Sequence, residues 1–161
     1  MRLRACLNQD GIARMQPFYL DSAGWGMDQP FALIERAPDS DPPSDEDLAK
    51  MKITRAEANE LVERLRSLKQ ATLRNTGGGS YHVLLDPVAT THMSFSDLPL
   101  LQSANTVDAE KHAHALQTVR NYTRAFFDQE LTGKPSTVLA GRRHGDFVTI
   151  VDRFEPARRP R

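Results

Sequence analysis

Three short, mainly apolar runs, each followed by polar or turn-forming residues, constrain the fold of this chain most strongly. They occupy residues 3–7, 30–34 and 81–85. Runs of this length are typical of strands that are buried on both faces. Such strands occur in parallel sheets whose two sides are covered by helices. The runs therefore predict an α/β fold with about three parallel strands.

Two longer segments have the periodicity of amphipathic helices. The first begins at Thr54 with Glu57 three residues later, a spacing typical of a capping box. Its apolar residues recur on one face through residues 58–68, and the glycine-rich residues 75–79 end it. The second runs from about residue 108 to 131, and a glycine and a proline follow it. Strands separated by these two long helices agree with the α/β prediction.

Composition limits the function classes and the number of domains. Of the 161 residues, 39% are hydrophobic and 26% are charged, as in ordinary globular domains. The 21 basic and 21 acidic residues cancel, which gives no electrostatic reason to expect a nucleic-acid partner. No segment approaches the apolar length of a membrane span, and the opening residues lack a signal-peptide pattern. We expect one core in residues 1–135 and a tail, residues 136–161, that contains a short hairpin.

Two polar residues follow predicted strands at positions where α/β proteins carry function. Asp10 follows the first apolar run, and His92 lies in the polar loop after the third. An acid followed by a histidine is the order of the last two members of a Ser-Asp-His triad in α/β-hydrolases. The alternative interpretations are a turn residue for Asp10 and a loop or capping histidine for His92. Asp39 and Asp41, one strand later, are the alternative acid.

The remaining candidates have simpler interpretations. His82 lies within a predicted strand, which favours a core histidine with its hydrogen bonds satisfied. His112 and His114 are two residues apart on a helix and therefore point away from each other, which makes chelation of a metal unfavourable. Cys6 is the one cysteine and lies in an apolar run, which predicts a buried, unreactive thiol.

Several segments resemble the plasma-type platelet-activating factor acetylhydrolases and the related dienelactone hydrolase-like group. Residues 7–11, Leu-Asn-Gln-Asp-Gly, resemble the strand and acid turn of that group. Residues 91–97, Thr-His-Met-Ser-Phe-Ser-Asp, resemble its histidine segment. Residues 29–34 are similar to the intervening strand, and residues 121–133 are similar to the closing helix. The resemblance covers nearly the whole chain and weakens after about residue 141.

The resemblance implies the C-terminal part of an α/β-hydrolase sheet, without the N-terminal strands. Asp10 would be the triad acid and His92 the general base. The substrates would be carboxylic esters, including short acyl chains on a phospholipid, and neither a metal nor an organic cofactor is expected. Trp25 and Phe95 are candidates to border the substrate pocket.

The sequence departs from this family at the nucleophile. The elbow Gly-x-Ser-x-Gly occurs nowhere in the chain, and the nearest segment, residues 78–82, lacks the second glycine. We therefore expect the chain alone to be inactive. The alternative is a non-catalytic interaction module, or one subunit of a split hydrolase, that associates through the exposed edge of the strand at residues 3–7.

Overall fold

The predicted strands form the parallel part of one four-stranded sheet. The computed structural model describes residues 3–9, 26–37, 43–87, 90–102, 106–140 and 147–157. The strands are β1 (Cys6–Gln9), β2 (Phe31–Arg36), β3 (Ser80–Leu85) and β4 (Val148–Phe154). They lie side by side in chain order, with β1, β2 and β3 parallel and β4 antiparallel to β3. The fold is therefore mixed α/β, as the apolar runs predict.

Helices of very different lengths accompany the sheet. They are α1 (Asp45–Met51), α2 (Arg55–Arg74), α3 (Leu98–Gln102) and α4 (Thr106–Thr132), with a 3-10 helix at His92–Phe95. The predicted capping box at the start of α2 is confirmed. The Glu57 backbone N–H donates to Thr54 Oγ1, and the Glu57 carboxylate accepts from the Thr54 backbone N–H. The two long helices predicted from periodicity are α2 and α4.

The two faces of the sheet carry cores of different size, because successive strand residues point to opposite faces. On one face, strand residues including Ile34 and Val83 pack with Val119 and Phe126 of α4. On the other face, Phe31 and Leu33 pack with Leu73 near the end of α2, and the cluster contains few other residues. The helix α4 therefore covers the larger core.

The apolar stripe of α2 is less buried than its periodicity predicts. Leu61 and Val62 are 43% and 51% exposed, whereas Leu73 is fully buried. The sheet face beneath α2 offers only the small core around Leu33, and the end of α2 already fills it. Helical periodicity identifies which side of the helix is apolar, but the partner surface decides how much of that side is covered.

The tail differs from its prediction. Residues 136–140 form turns, and the described part of the tail contains no hairpin. Instead β4 pairs with β3, with Val151 opposite Val83, and both valines are buried in the larger core. Residues 148–154 are therefore part of the same sheet as residues 1–135. A run of branched apolar residues predicts a strand but does not identify its partner.

Candidate functional site

The carboxyl ends of β1, β2 and β3 lie at one edge of the sheet, because the three strands are parallel neighbours. In open α/β sheets this edge is where ligands and catalytic groups are found. The predicted acid follows β1 and the predicted histidine follows β3 in the sequence. We call the loop from Asp86 to Thr91, with the 3-10 helix that follows it, the histidine segment.

The first part of the histidine segment is held by an arginine from the neighbouring strand. Arg36, the last residue of β2, donates from Nη2 to the Pro87 carbonyl at 3.0 Å and from Nε to the Thr90 carbonyl at 2.9 Å. Thr90 is buried, and its backbone N–H donates to the Asp86 carbonyl at 2.9 Å. The described residues on both sides of the loop, Pro87 and Thr90, are thus attached to β2.

The 3-10 helix that begins at His92 is closed by reciprocal bonds. The Thr91 backbone N–H donates to Ser94 Oγ at 3.0 Å, and the Ser94 backbone N–H donates to the Thr91 carbonyl at 3.0 Å. Ser94 is 1% exposed, and Phe95 packs against the larger core. Serine and threonine next to the histidine therefore build the turn, and Phe95 anchors it to the sheet.

Several of the predicted site residues lie outside the described part of the chain. They are Asp10, Trp25, Asp39 and Asp41. For His92 the backbone is described and the side chain is not. The structure therefore establishes where the histidine segment lies, while the pairing of an acid with His92 stays a prediction.

A buried charged cluster on the other side of the sheet was missed in the sequence. Glu35 of β2 accepts at Oε1 from His82 Nε2 of β3 at 2.8 Å and from Lys69 Nζ of α2 at 2.5 Å. The side chains of Glu35 and His82 are each 5% exposed, and that of Lys69 is 19% exposed. Asp152 of β4 is the register partner of His82 and so lies on the same face. One carboxylate oxygen thus joins two strands and a helix.

The electrostatics of the cluster keep the glutamate ionised. Burial alone would raise the pKa of Glu35. The hydrogen bond from His82 and the nearby charge of Lys69 lower the pKa by more than burial raises it, so it lies below its ordinary value. Since the carboxylate is charged, His82 Nε2 carries the proton and donates. The prediction of a core histidine with its hydrogen bond satisfied is confirmed. The sequence signal was a single charged residue, Glu35, directly after an apolar run.

The contacts of this cluster indicate a structural role. Its carboxylate already accepts from His82 and Lys69, and both strand side chains are closed to solvent. No group of three or more His, Cys, Asp and Glu side chains able to hold a metal ion occurs within the described ranges. The arrangement joins α2 to the middle of the sheet, and we assign it a role in stability.

Of the remaining candidates, Cys6 is less buried than the sequence predicts. Cys6 is half-buried, and burial raises the pKa of its thiol. His114 is exposed at the surface of α4 and makes an edge contact with Phe147, with 4.2 Å between ring centroids.

Fold and site together define a mixed α/β protein with its candidate site at the carboxyl edge of the parallel strands. No protein-family model matches the chain, and searches of curated proteins and of solved structures find no match either. Among the helices of the described residues, none combines the length and apolar character needed to cross a membrane.

Proposed function

We propose that this chain supplies the acid and the histidine of a serine carboxylic-ester hydrolase of the α/β-hydrolase type. The observation that carries the proposal is the position of the histidine segment at the carboxyl edge of the parallel sheet, with β1, which precedes Asp10, ending at that same edge. In this proposal Asp10 is the acid and His92 is the base. Asp39 and Asp41 are the alternative acids.

The chemistry divides between the two residues. The carboxylate of Asp10 accepts a hydrogen bond from one imidazole nitrogen of His92 and so holds the ring in one tautomer. The other nitrogen takes the proton from a serine hydroxyl as that oxygen attacks the ester carbonyl, and then gives the proton to the departing alkoxide. Water hydrolyses the acyl-serine with the same histidine as base. The serine would come from polypeptide outside these 161 residues.

The proposed substrates are small esters or phospholipids with short acyl chains. Apolar side chains are exposed beside His92, on the 3-10 helix at Met93 and on α3 at Leu98 and Leu101. An apolar surface next to a general base suits an ester with an acyl chain, since burial of the chain would hold the carbonyl near the base. The chemistry calls for no metal and no organic cofactor.

A second candidate function is a non-catalytic interaction module, or a partner subunit of a split hydrolase. The observation that favours it is that β1 is the edge strand of the described sheet, and that Leu3 just before it is 64% exposed. Edge strands offer unpaired backbone groups to another chain. In this case, a second copy or a partner would pair along residues 3–9.

The first experiment tests whether an acid pairs with His92 in the 161-residue chain, without a serine nucleophile being supplied. The titration of the His92 ring is followed by NMR in the wild type and in Asp10→Asn, Asp39→Asn and Asp41→Asn. A paired carboxylate stabilises the imidazolium, so Asp10→Asn is expected to lower the titration midpoint by about one pH unit. His112 in the same spectra is the internal control. A midpoint that none of the three variants changes would refute the triad.

The second experiment separates the two candidate functions. Hydrolysis of a short-chain p-nitrophenyl ester by the wild type, His92→Ala and Asp10→Ala is expected to be equally slow, since the nucleophile is absent. Activity that both variants lose would mean that the chain has its own nucleophile.

Sedimentation of Leu3→Glu tests the interaction module, with Leu101→Glu as a control at another exposed leucine. A dimer that only Leu3→Glu dissociates would favour the module.

A further inference from the structure

One turn of α4 contacts both of the segments that carry the proposed triad residues. On this turn, Thr123 Oγ1 accepts a hydrogen bond from Gln9 Nε2 at 3.0 Å. Three residues earlier, Arg120 Nη2 donates to Asp97 Oδ1 at 3.0 Å. Residues three apart on a helix are neighbours on its surface. The acid side and the histidine side of the candidate site are therefore attached to the same stretch of helix.

The contact with Thr123 holds the residue that directly precedes the proposed acid. Gln9 is the last residue of β1, and Asp10 follows it. Within the described sheet, β1 is an edge strand whose one neighbour is β2. The backbone of β1 is thus held from one side, and the side-chain bond to α4 is an additional attachment at the point where the acid turn begins.

The other contact holds the chain just after the histidine segment. Phe95, the last residue of that segment, packs against the larger core, which α4 covers. Asp97 lies two residues further on and forms the ion pair with Arg120. The bonds from Arg36 attach the beginning of the segment to β2. His92 therefore lies between an attachment to β2 and an attachment to α4.

We infer that Thr123 and Arg120 are positioning residues, which set the separation between the acid and the base of the candidate site. Thr123 acts through Gln9 on the acid side, and Arg120 acts through Asp97 on the histidine side. A carboxylate and an imidazole form a pair only within hydrogen-bond reach, about 2.6–3.2 Å between heavy atoms, so a small displacement of either segment breaks it. These roles rest on the proposed function, because they concern the acid and the base of that site.

The titration midpoint of the His92 ring, followed by NMR, measures the pairing. Asp10→Asn sets the scale, with an expected fall of about one pH unit. Thr123→Val removes the hydroxyl and keeps the shape of the side chain, so it is expected to lower the midpoint by roughly half a pH unit. Thr123→Ser retains the hydroxyl and is expected to keep the wild-type midpoint. Thr118→Val is the matched control on the same helix, because its hydroxyl donates to the His114 carbonyl.

Gln9→Ala removes the other partner of the same hydrogen bond. It is expected to reproduce the midpoint of Thr123→Val, and the double variant is expected to fall no further, because both changes break one interaction. Neither residue is charged, so a changed midpoint cannot result from a lost charge. The charged side chains on and around the histidine segment stay in place in both variants: Arg36, Asp86, Asp97 and Arg120. A double variant that falls by the sum of the two single changes would contradict a shared bond.

Arg120→Gln tests the histidine side by the sign of the change. Loss of the cation, which leaves Asp97 without this partner, would by itself raise the midpoint of a nearby imidazole. Displacement of the histidine segment would lower the midpoint, and a fall is the expected result. Arg124→Gln is the control, because it removes an exposed pair with Asp128 on the same helix. A midpoint that rises or does not change in Arg120→Gln would overturn the role of that residue.

The variants distinguish failure of these roles from failure of the proposed function. If no acid variant changes the midpoint, both fail. If Asp39→Asn or Asp41→Asn lowers it and Asp10→Asn does not, the proposed function stands with another acid and the role of Thr123 fails. If Asp10→Asn lowers the midpoint and Thr123→Val does not, the triad stands and the role of Thr123 again fails.

Melting temperatures separate positioning from general stability. The bond between Gln9 and Thr123 is exposed, and so is the pair between Asp97 and Arg120, so their loss is expected to change the melting temperature little. Thr123→Val should therefore melt close to the wild type and still have a lower His92 midpoint. Equal falls of the midpoint in Thr123→Val and in the Thr118→Val control would overturn the positioning role.

Discussion

Glu35 on β2 and His82 on β3 are joined by a 2.8 Å hydrogen bond between Oε1 and Nε2, and both side chains are nearly closed to solvent. Lys69 reaches the same oxygen from α2. The sheet face beneath α2 has only a small apolar core, and this polar contact is a second attachment of α2 to the sheet. The first two predictions follow from it.

Replacing the buried carboxylate with an amide should destabilise the protein strongly. In Glu35→Gln the Lys69 charge stays partly buried without its counter-charge, and breaking such a pair costs about 3 kcal/mol. The free energy of unfolding is measured with urea at neutral pH. The control is Glu63→Gln, whose partner Arg66 lies 3.1 Å away with both side chains 64% exposed. The control should change the free energy of unfolding by less than about 0.5 kcal/mol. Equal effects of the two variants would contradict the buried pair.

The same carboxylate should make stability depend on acid pH. The pKa of Glu35 is lower in the folded state than its ordinary value. Its contribution is therefore complete above the unfolded pKa of about 4.3 and is lost as the pH falls below that value. The free energies of unfolding of the wild type and Glu35→Gln, measured with urea, should differ at about pH 6 and become equal toward about pH 3. Asp152, on the same face, is present in both proteins, so the difference reports the Glu35 carboxylate together with its partners His82 and Lys69. A constant difference across this range would mean that Glu35 does not titrate as proposed.

The path of the histidine segment should depend on Arg36. In Arg36→Gln the bonds to the Pro87 and Thr90 carbonyls are lost, so the loop opens locally more often. Hydrogen–deuterium exchange should become faster for the amide of Thr90, which donates within the loop, and should stay unchanged in α2. Arg64→Gln at the exposed surface of α2 is the control. Uniformly faster exchange would indicate a loss of global stability instead.

The approach of the chain before β2 to the end of α2 requires a glycine at residue 26. Its φ is +71°, and a Cβ there would lie 2.3 Å from the Asn75 carbonyl carbon. Gly133 has φ +73° with nothing within 4 Å of such a Cβ. Both alanine variants incur the left-handed backbone cost of about 1 kcal/mol. Gly26→Ala should lose clearly more stability than Gly133→Ala in urea unfolding. Similar losses would show that residue 26 does not lie against Asn75.

Sequence patterns correctly predicted the features that depend only on neighbouring residues. The capping box at Thr54 and the apolar run before His92 depend on neighbours a few residues apart, and both are found where the sequence predicts them. The first strand is an exception in its bounds, since β1 occupies Cys6–Gln9 rather than residues 3–7. The strand begins where its pairing begins, with Cys6 opposite Phe31, the first residue of β2, and β2 lies far along the chain.

By itself, the sequence determined the α/β class and the two long helices, because these follow from periodicity and from nearby residues. Only the tertiary structure decided that β4 pairs with β3 and that Glu35 meets His82 and Lys69. Each of these joins residues that are distant in the chain. Their free energy depends on which surfaces meet and how much water they exclude, and no local pattern records that.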